Sequence, residues 1–424
     1  MKDTVLGVDK MVTWNGDSRF IEAETLAKKD MKYLLIKPYP VFRSFGIQGR
    51  CTTCWRAMDD EGEEVFIKDT HRDVQHGVIP EWKMLLAAQG AEGVGQMLGY
   101  EEDISLYHRR GYFRVDENFE NPHRNLWNRD ILHRDVSLNN VLLGKPNAPA
   151  GQRGILIDLD MAVKLGPLDR LPRASDRSGT LSYFSTTILR FATRLSYDPK
   201  KLEDPRDYHT HWEDLQSFFY LLCHICLGYS GPGEEADPYP LLLEEWNDDY
   251  DTALEAKEEF LDDEGREVYK ATPYFGGIFD SLLIELYEFL ERTDDEFTRT
   301  LVGLSKRLEF ITKADIDEYA KTHYEEYLTI IDRAISALEA ETQEVVQPAG
   351  ITKVSTRRAI LPQPAPTVVA HVLADIKLNS RQPEGKRKRD ALDEQLTEED
   401  NMDNIQGLVK ARKVKKAKKA KSAT

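Results

Sequence analysis

Cysteine is scarce, four in 424 residues, which is too few for a disulfide framework in a chain of this size. No apolar run reaches the length of a membrane span, and the polar start MKDTVLGVDK lacks the apolar core of a secretory signal. These absences predict a soluble intracellular protein that needs no membrane. Positive charge is also in deficit: 57 Lys and Arg face 74 Asp and Glu, a net charge of −17. An acidic body argues against broad nucleic-acid binding by the folded part. The charge is uneven, because Arg381 to Thr424 hold 13 basic and 8 acidic residues, leaving about −22 on residues 1–380. The cysteines form two CxxC pairs, Cys51/Cys54 and Cys223/Cys226. The first lies just after Gly49, in the place of a loop, and the second sits in a continuous apolar helix, where cysteine is most often a small buried hydrophobe; neither setting favours zinc.

What is present supports a sizeable core, since 41% of residues are hydrophobic. Residues 1–45 read as an irregular lead-in with one short apolar segment, Tyr33 to Ile36. Strand-like alternation follows at 49–57 and 64–68, flanking the turn-rich tip Asp59-Asp60-Glu61-Gly62. A short helix opens at Glu81 in EWKMLLAAQG, with Trp82, Leu85 and Leu86 on one face. From Trp212 to Leu227 almost every position after Gln216 is apolar, the mark of a helix buried on all sides. Further helices are predicted at Phe279–Leu290 and Tyr324–Leu338. After about Glu341 the periodicity dissolves into proline-marked, polar sequence, a disordered tail.

Chemistry-bearing residues occur in a telling order. Lys68 closes the strand VFIK, HRDVSLNN holds His133, Arg134, Asp135 and Asn140, and the strand-like ILID ends in Asp158. Phosphoryl transfer needs a carboxylate at the attacking hydroxyl, metal ligands on the phosphates and a cation clamping them. Asp135 fits the first need, Asn140 and Asp158 the second as Mg2+ ligands, and Lys68 the third. Taken alone, Lys68 would read as an exposed strand lysine. Its place before a helix bearing Glu81 suggests instead an ion pair fixing it over the ATP phosphates, with Glu92 and the Glu63/Glu64 pair as alternative partners. Only Gly49 remains of a G-x-G-x-x-G loop that would cover the nucleotide.

Together VFIKDTHR, ILHRDVSLNNVLL, GILIDLDMAV, SGTLSYFSTTIL and HWEDLQSFFYLL resemble the fungal-type protein kinase family, a eukaryotic protein-kinase-like group, over roughly residues 20–335. The resemblance implies an α+β bilobal protein kinase-like fold, with ATP and Mg2+ between a small β-rich N-lobe and a larger helical C-lobe. The kinase-like domain is expected over 46–342, with the lobes meeting near 105/106, and the tail over 343–424. By the same resemblance Asp214 bonds the backbone of the catalytic loop; as an acidic residue near a helix start it also suits the helix dipole.

Three departures from an active kinase stand out. Ser137 occupies the place of a lysine that would touch the γ-phosphate, although serine also occurs in the family's motif. Thr187 stands where a glutamate would form a buried pair under the peptide-binding shelf. Glu81 and His133 are 52 positions apart, where the rest of one helix, two strands, a hinge and two helices need roughly 70. The helix after the hinge is therefore expected to be missing.

Ser175, Ser178 and Thr180, amid Arg170, Arg173 and Arg177, are candidate phosphosites, one of which could pair with Arg134. In the tail, Lys386–Arg389 and Lys410–Lys421, the latter with 8 basic residues of 12, read as signals for a nuclear import receptor, since no aromatic residues interleave them for base stacking. The leading expectation is a nuclear ATP-dependent kinase of Ser/Thr hydroxyls on an unidentified protein substrate. A catalytically impaired scaffold is the alternative, and a small-molecule phosphotransferase on the same fold comes third.

Overall fold

A computed structural model describes residues 12–43, 51–71, 79–103, 108–114, 121–143, 154–166, 169–174, 179–197, 207–262 and 270–346. The chain divides into Met1–Leu373 and Ala374–Thr424, and the second unit, with both basic clusters, lies outside the described residues.

The first unit opens with strands β1 (Val12–Asn15), β2 (Ser18–Glu24), β3 (Asp30–Leu35), β4 (Phe42–Arg43), β5 (Cys51–Met58) and β6 (Glu64–His71). After helix α1 (Glu81–Ala87) come β7 (Gln96–Asp103) and β8 (His108–Arg114). Seven of these strands run in the order β1-β2-β3-β5-β6-β8-β7, and β4 joins at β5 to complete an eight-stranded sheet. The expected lead-in is thus corrected over 12–43, and the sheet runs past 105 to Arg114. Alternation explains the early strands: Ile21 and Ala23 of β2, and Tyr33 and Leu35 of β3, are buried between exposed Glu22, Glu24, Lys32 and Leu34. They pack on Ala57, Val65 and Ile67. The predicted hairpin tip joins β5 to β6, where Asp59 Oδ1 accepts from Glu61 N (3.0 Å) and Glu63 N (2.8 Å).

In α1, Met84 and Leu85 are the buried residues, while Leu86 is exposed. That corrects the predicted face: the helix lies on Leu159 and Ala162, and Leu86 points away from them. Then come α2 (Pro122–Trp127), the short strands β9 (Ile131–Leu132), β10 (Val141–Leu143), β11 (Gly154–Leu156) and β12 (Val163–Lys164), and helix α3 (Thr186–Tyr197). Helix α4 (His211–Gly228) starts at a capping box in which Glu213 Oε2 accepts from Thr210 N (2.7 Å) and Thr210 Oγ1 accepts from Trp212 N (3.1 Å). Its apolar length is the axis of the largest core. A small hairpin of β13 (Tyr229–Gly231) and β14 (Glu234–Glu235) precedes α5 (Leu241–Glu245), α6 (Tyr250–Phe260), α7 (Gly277–Ser305) and α8 (Lys313–Val346). The last two extend well beyond the predicted Phe279–Leu290 and Tyr324–Leu338. Among the described residues no helix is long and apolar enough to cross a membrane.

Between β8 and Asn121 lie only residues 115–120, too few for a hinge and a helix of about 11 residues. Helix α2 itself has six residues. Helix α8 covers it: Trp127 Nε1 donates to Asp317 Oδ1 (2.8 Å), and Lys313 Nζ lies 4.9 Å from the Trp127 ring centroid. Apolar surface that a shortened helical segment would expose is thereby buried.

Candidate active site

Strand β6 turns Val65 and Ile67 into the sheet's core and Lys68 to the opposite side, toward α1. Lys68 is 7% exposed. Its Nζ is 2.9 Å from Glu81 Oε2, 2.8 Å from Asp158 Oδ1 and 3.6 Å from Asp160 Oδ2. Of the alternative partners, Glu64 pairs with Arg56 instead. Burial works against the Lys68 ammonium, but Asp158, Glu81 and Asp160 outweigh it and hold its pKa well above the usual lysine value. Glu81 is pushed up to about 8, chiefly by burial, with Lys68 opposing and Asp160 and Asp158 adding to the rise. Asp160, which the sequence reading passed over, is 8% exposed and belongs to this cluster.

The catalytic-loop residues are tied to the same place. Asp135 N donates to His133 Nδ1 (3.2 Å), so His133 Nε2 carries the proton and donates to Ile157 O (3.0 Å). Ile157 N in turn donates to Asn140 O (2.9 Å). The residue before Asp158 is thus fastened to both ends of the loop. Asn140 Nδ2 donates to Asp135 O (2.8 Å) and Oδ2 (3.0 Å), so Oδ1 is the amide atom that could face a metal ion. Thr180 Oγ1 donates to Asp135 Oδ1 (3.0 Å). Thr180 therefore steadies the carboxylate, and a phosphoryl group on it would lie against Asp135. Gly179 allows that approach: at φ 122° it sits where a Cβ would come 2.9 Å from Arg134 O and 2.7 Å from Phe184 Cε1. The other candidate phosphosites, Ser175 and Ser178, and Gly49 lie outside the described residues.

Arg134 has φ 69°, a conformation costing about 1–3 kcal/mol for a residue other than glycine. It is held by Asp214, whose Oδ2 accepts from Arg134 N (3.1 Å). Ser137 is 1% exposed, packed into the protein rather than offered to a phosphate. Thr187, where the kinase pattern has a paired glutamate, lies in α3. A different anchor holds the segment before it: Lys257 of α6, with no exposed surface, donates from Nζ to Phe184 O (2.6 Å). Among the described residues, the one group of side chains that could hold a metal ion is Glu81, Asp158 and Asp160. Cys223 and Cys226 are free and buried, as predicted for small hydrophobes.

A family model described as Fungal protein kinase matches residues 1–111 and 120–226, just over half the chain. This chain belongs to that family. Its match is interrupted over 112–119, from the last three residues of β8 to just before α2. The small β-rich lobe and the larger helical lobe have the protein kinase architecture, and membership makes the expected class of chemistry phosphotransfer. Among solved structures, the Cydia pomonella Granulovirus kinase PK-1 aligns at 11% identity and a TM-score of 0.38, over 60% of this chain and 87% of that chain. No curated protein matches.

Proposed function

We propose that this fungal kinase transfers the γ-phosphate of ATP to serine or threonine hydroxyls of proteins. The observation that carries the reading is convergence: Lys68, Glu81, Asp135, Asn140 and Asp158, spread over 90 residues of sequence, are linked by hydrogen bonds and ion pairs, in part through the backbone of Asn140 and Ile157. Asp135, with both oxygens oriented by Asn140 and Thr180, is the base that takes the proton of the incoming hydroxyl. Asn140 Oδ1 and Asp158 are the atoms suited to Mg2+, which would neutralise charge building on the phosphates. Lys68, kept protonated by its carboxylates, steadies the α- and β-phosphates. Acceptance of serine or threonine rests on the Gly179-Thr180 segment against Asp135.

One observation favours a catalytically impaired scaffold instead: with Ser137 buried, that position brings no cation to the γ-phosphate. Transfer of labelled γ-phosphate from Mg-ATP to the protein itself and to dephosphorylated casein separates the two readings. Wild type is expected to transfer label and Asp135→Asn to lose at least about 10²-fold of the rate. A well-folded wild type that transfers nothing, or no faster than Asp135→Asn, leaves the scaffold reading standing.

A further inference from the structure

Resting on the phosphotransfer reading, we infer that Tyr324 of α8 is a positioning residue for the catalytic loop, acting through His123 of α2 and Asp214 of α4. Tyr324 touches none of the reacting groups. Its Oη lies 2.7 Å from His123 Nδ1, and His123 Nε2 lies 2.8 Å from Asp214 Oδ2. That same oxygen accepts from Arg134 N, while Asp214 Oδ1 lies 3.0 Å from His209 Nε2. The chain of contacts joins residues 201, 91 and 80 positions apart, and it ends on the peptide next to the proposed base.

Donor and acceptor chemistry gives the chain a direction. An ionised carboxylate only accepts, so His123 presents Nε2–H to Asp214, and its Nδ1 faces the Tyr324 hydroxyl. Burial, and after it the Asp214 charge, hold the Tyr324 phenol well above its ordinary pKa, so the hydroxyl keeps its proton. Tyr324, His123 and Asp214 are 2%, 5% and 1% exposed, which leaves water little access to stand in for a lost partner. Tyr324 fixes the imidazole plane, and the imidazole fixes Asp214 Oδ2. Asp214 Oδ2 holds Arg134 at its left-handed φ. Asp135 follows directly, so its carboxylate inherits the orientation. Helix α8, which covers the shortened α2, therefore sets the geometry of the loop as well as burying apolar surface.

The test compares Tyr324→Phe with Tyr327→Phe in the full chain. Tyr327 is a second buried tyrosine of α8, 4% exposed and outside the relay. Two readouts are taken: steady-state transfer from Mg-ATP to dephosphorylated casein and to the protein itself, and deuterium exchange at the Arg134 amide, which does not depend on catalysis. Tyr324→Phe is expected to lower kcat about tenfold with KM for ATP within about twofold, and to speed exchange at Arg134. Tyr327→Phe is expected to do neither. Wild-type transfer that Tyr324→Phe leaves unchanged overturns the positioning role and spares the phosphotransfer reading. A lower kcat with unchanged exchange overturns the route through Asp214, and equal losses in both variants reduce the effect to general loosening of α8. Faster exchange in Tyr324→Phe beside a wild type that transfers nothing overturns the phosphotransfer reading and spares the relay. Failure of both readouts overturns both.

Discussion

Two lysines of this kinase are buried almost equally and serve opposite ends. Lys68, in the small lobe, faces three carboxylates within 3.6 Å and is held charged well beyond its ordinary range. Lys257, in the helical lobe, faces the rings of Tyr220 (3.7 Å) and Trp246 (5.2 Å), and no carboxylate pairs with it among the described residues. The ring faces favour an ammonium, yet burial dominates and lowers the Lys257 pKa well below the usual value. Burial alone therefore says little about the role of a cation; the company it keeps decides. The small lobe keeps its lysine beside carboxylates, whereas the helical lobe uses a lysine as a long hydrogen-bond donor.

The largest effect should come from removing the charged member of the pair. Lys68→Met is expected to lower phosphate transfer by at least about 10³-fold while costing only about 1–2 kcal/mol of stability. The stability cost is small because Glu81, already pushed up to about 8, can keep its proton once the lysine is gone. Transfer assays alongside thermal unfolding check both halves. Unchanged transfer would remove Lys68 from the site, and a collapsed melting temperature would recast it as structural.

The two lysines also mark how far the sequence could be read. The grouping of Lys68 with Glu81 and Asp158, and of Asp135 with Asn140, was legible in the order of residue types along the chain, and hydrogen bonds and ion pairs join each group. Helix α4 was legible through its unbroken apolar composition. Strands β2 and β3 were not, although Ile21, Ala23, Tyr33 and Leu35 alternate with charged neighbours. The apolar run Leu34-Leu35-Ile36 obscured the period, and residues 1–45 carried no motif. Lys257 had a signal that went unused: Ala253, Ala256, Lys257 and Phe260 fall on one helical stripe, and all four are buried. His123 and Tyr324 had none, since a contact across 201 positions leaves no local pattern.

Acid should separate the two regions next. The helical lobe buries neutral histidines: His224 and His323 are each lowered to about 4, in both cases chiefly by burial. His211 is well below its ordinary value and lies 3.0 Å, Nε2 to Nδ1, from His323. Below about pH 6.5 the unfolded chain takes up protons that the folded chain refuses. The histidines' contribution to stability is therefore complete above that pH and falls toward pH 4, by about 3 kcal/mol for each of His224 and His323. Lys68 stays protonated throughout this window and contributes nothing to the slope. Glu81 and Glu213, each pushed up to about 8, act in the opposite sense, because the folded chain keeps protons there that the unfolded chain releases. The histidine loss is therefore read from pH 7.5 to 4.5 as the difference between wild type and His224→Gln, which keeps polar atoms between the Tyr183 and Tyr239 hydroxyls; the same slope in both would mean His224 is not buried neutral.

The smallest change at neutral pH, and the sharpest test of the contrast, belongs to Lys257→Met. Losing the bond to Phe184 O strands a buried carbonyl and costs about 1–3 kcal/mol. Against that, folding no longer has to strip a proton from the lysine, which costs about 1.4 kcal/mol for each pH unit below its ordinary value. The two terms oppose, so the melting temperature at pH 7 should move by only a few degrees. As pH rises toward the ordinary lysine value the proton becomes easier to release, and wild type should gain stability over the variant by up to about 1.4 kcal/mol per unit. A difference between wild type and Lys257→Met that stays flat from pH 7 to 9.5 would mean that Lys257 remains an ammonium in the fold, held by the Tyr220 and Trp246 rings, and the two lysines would then differ in partner but not in charge.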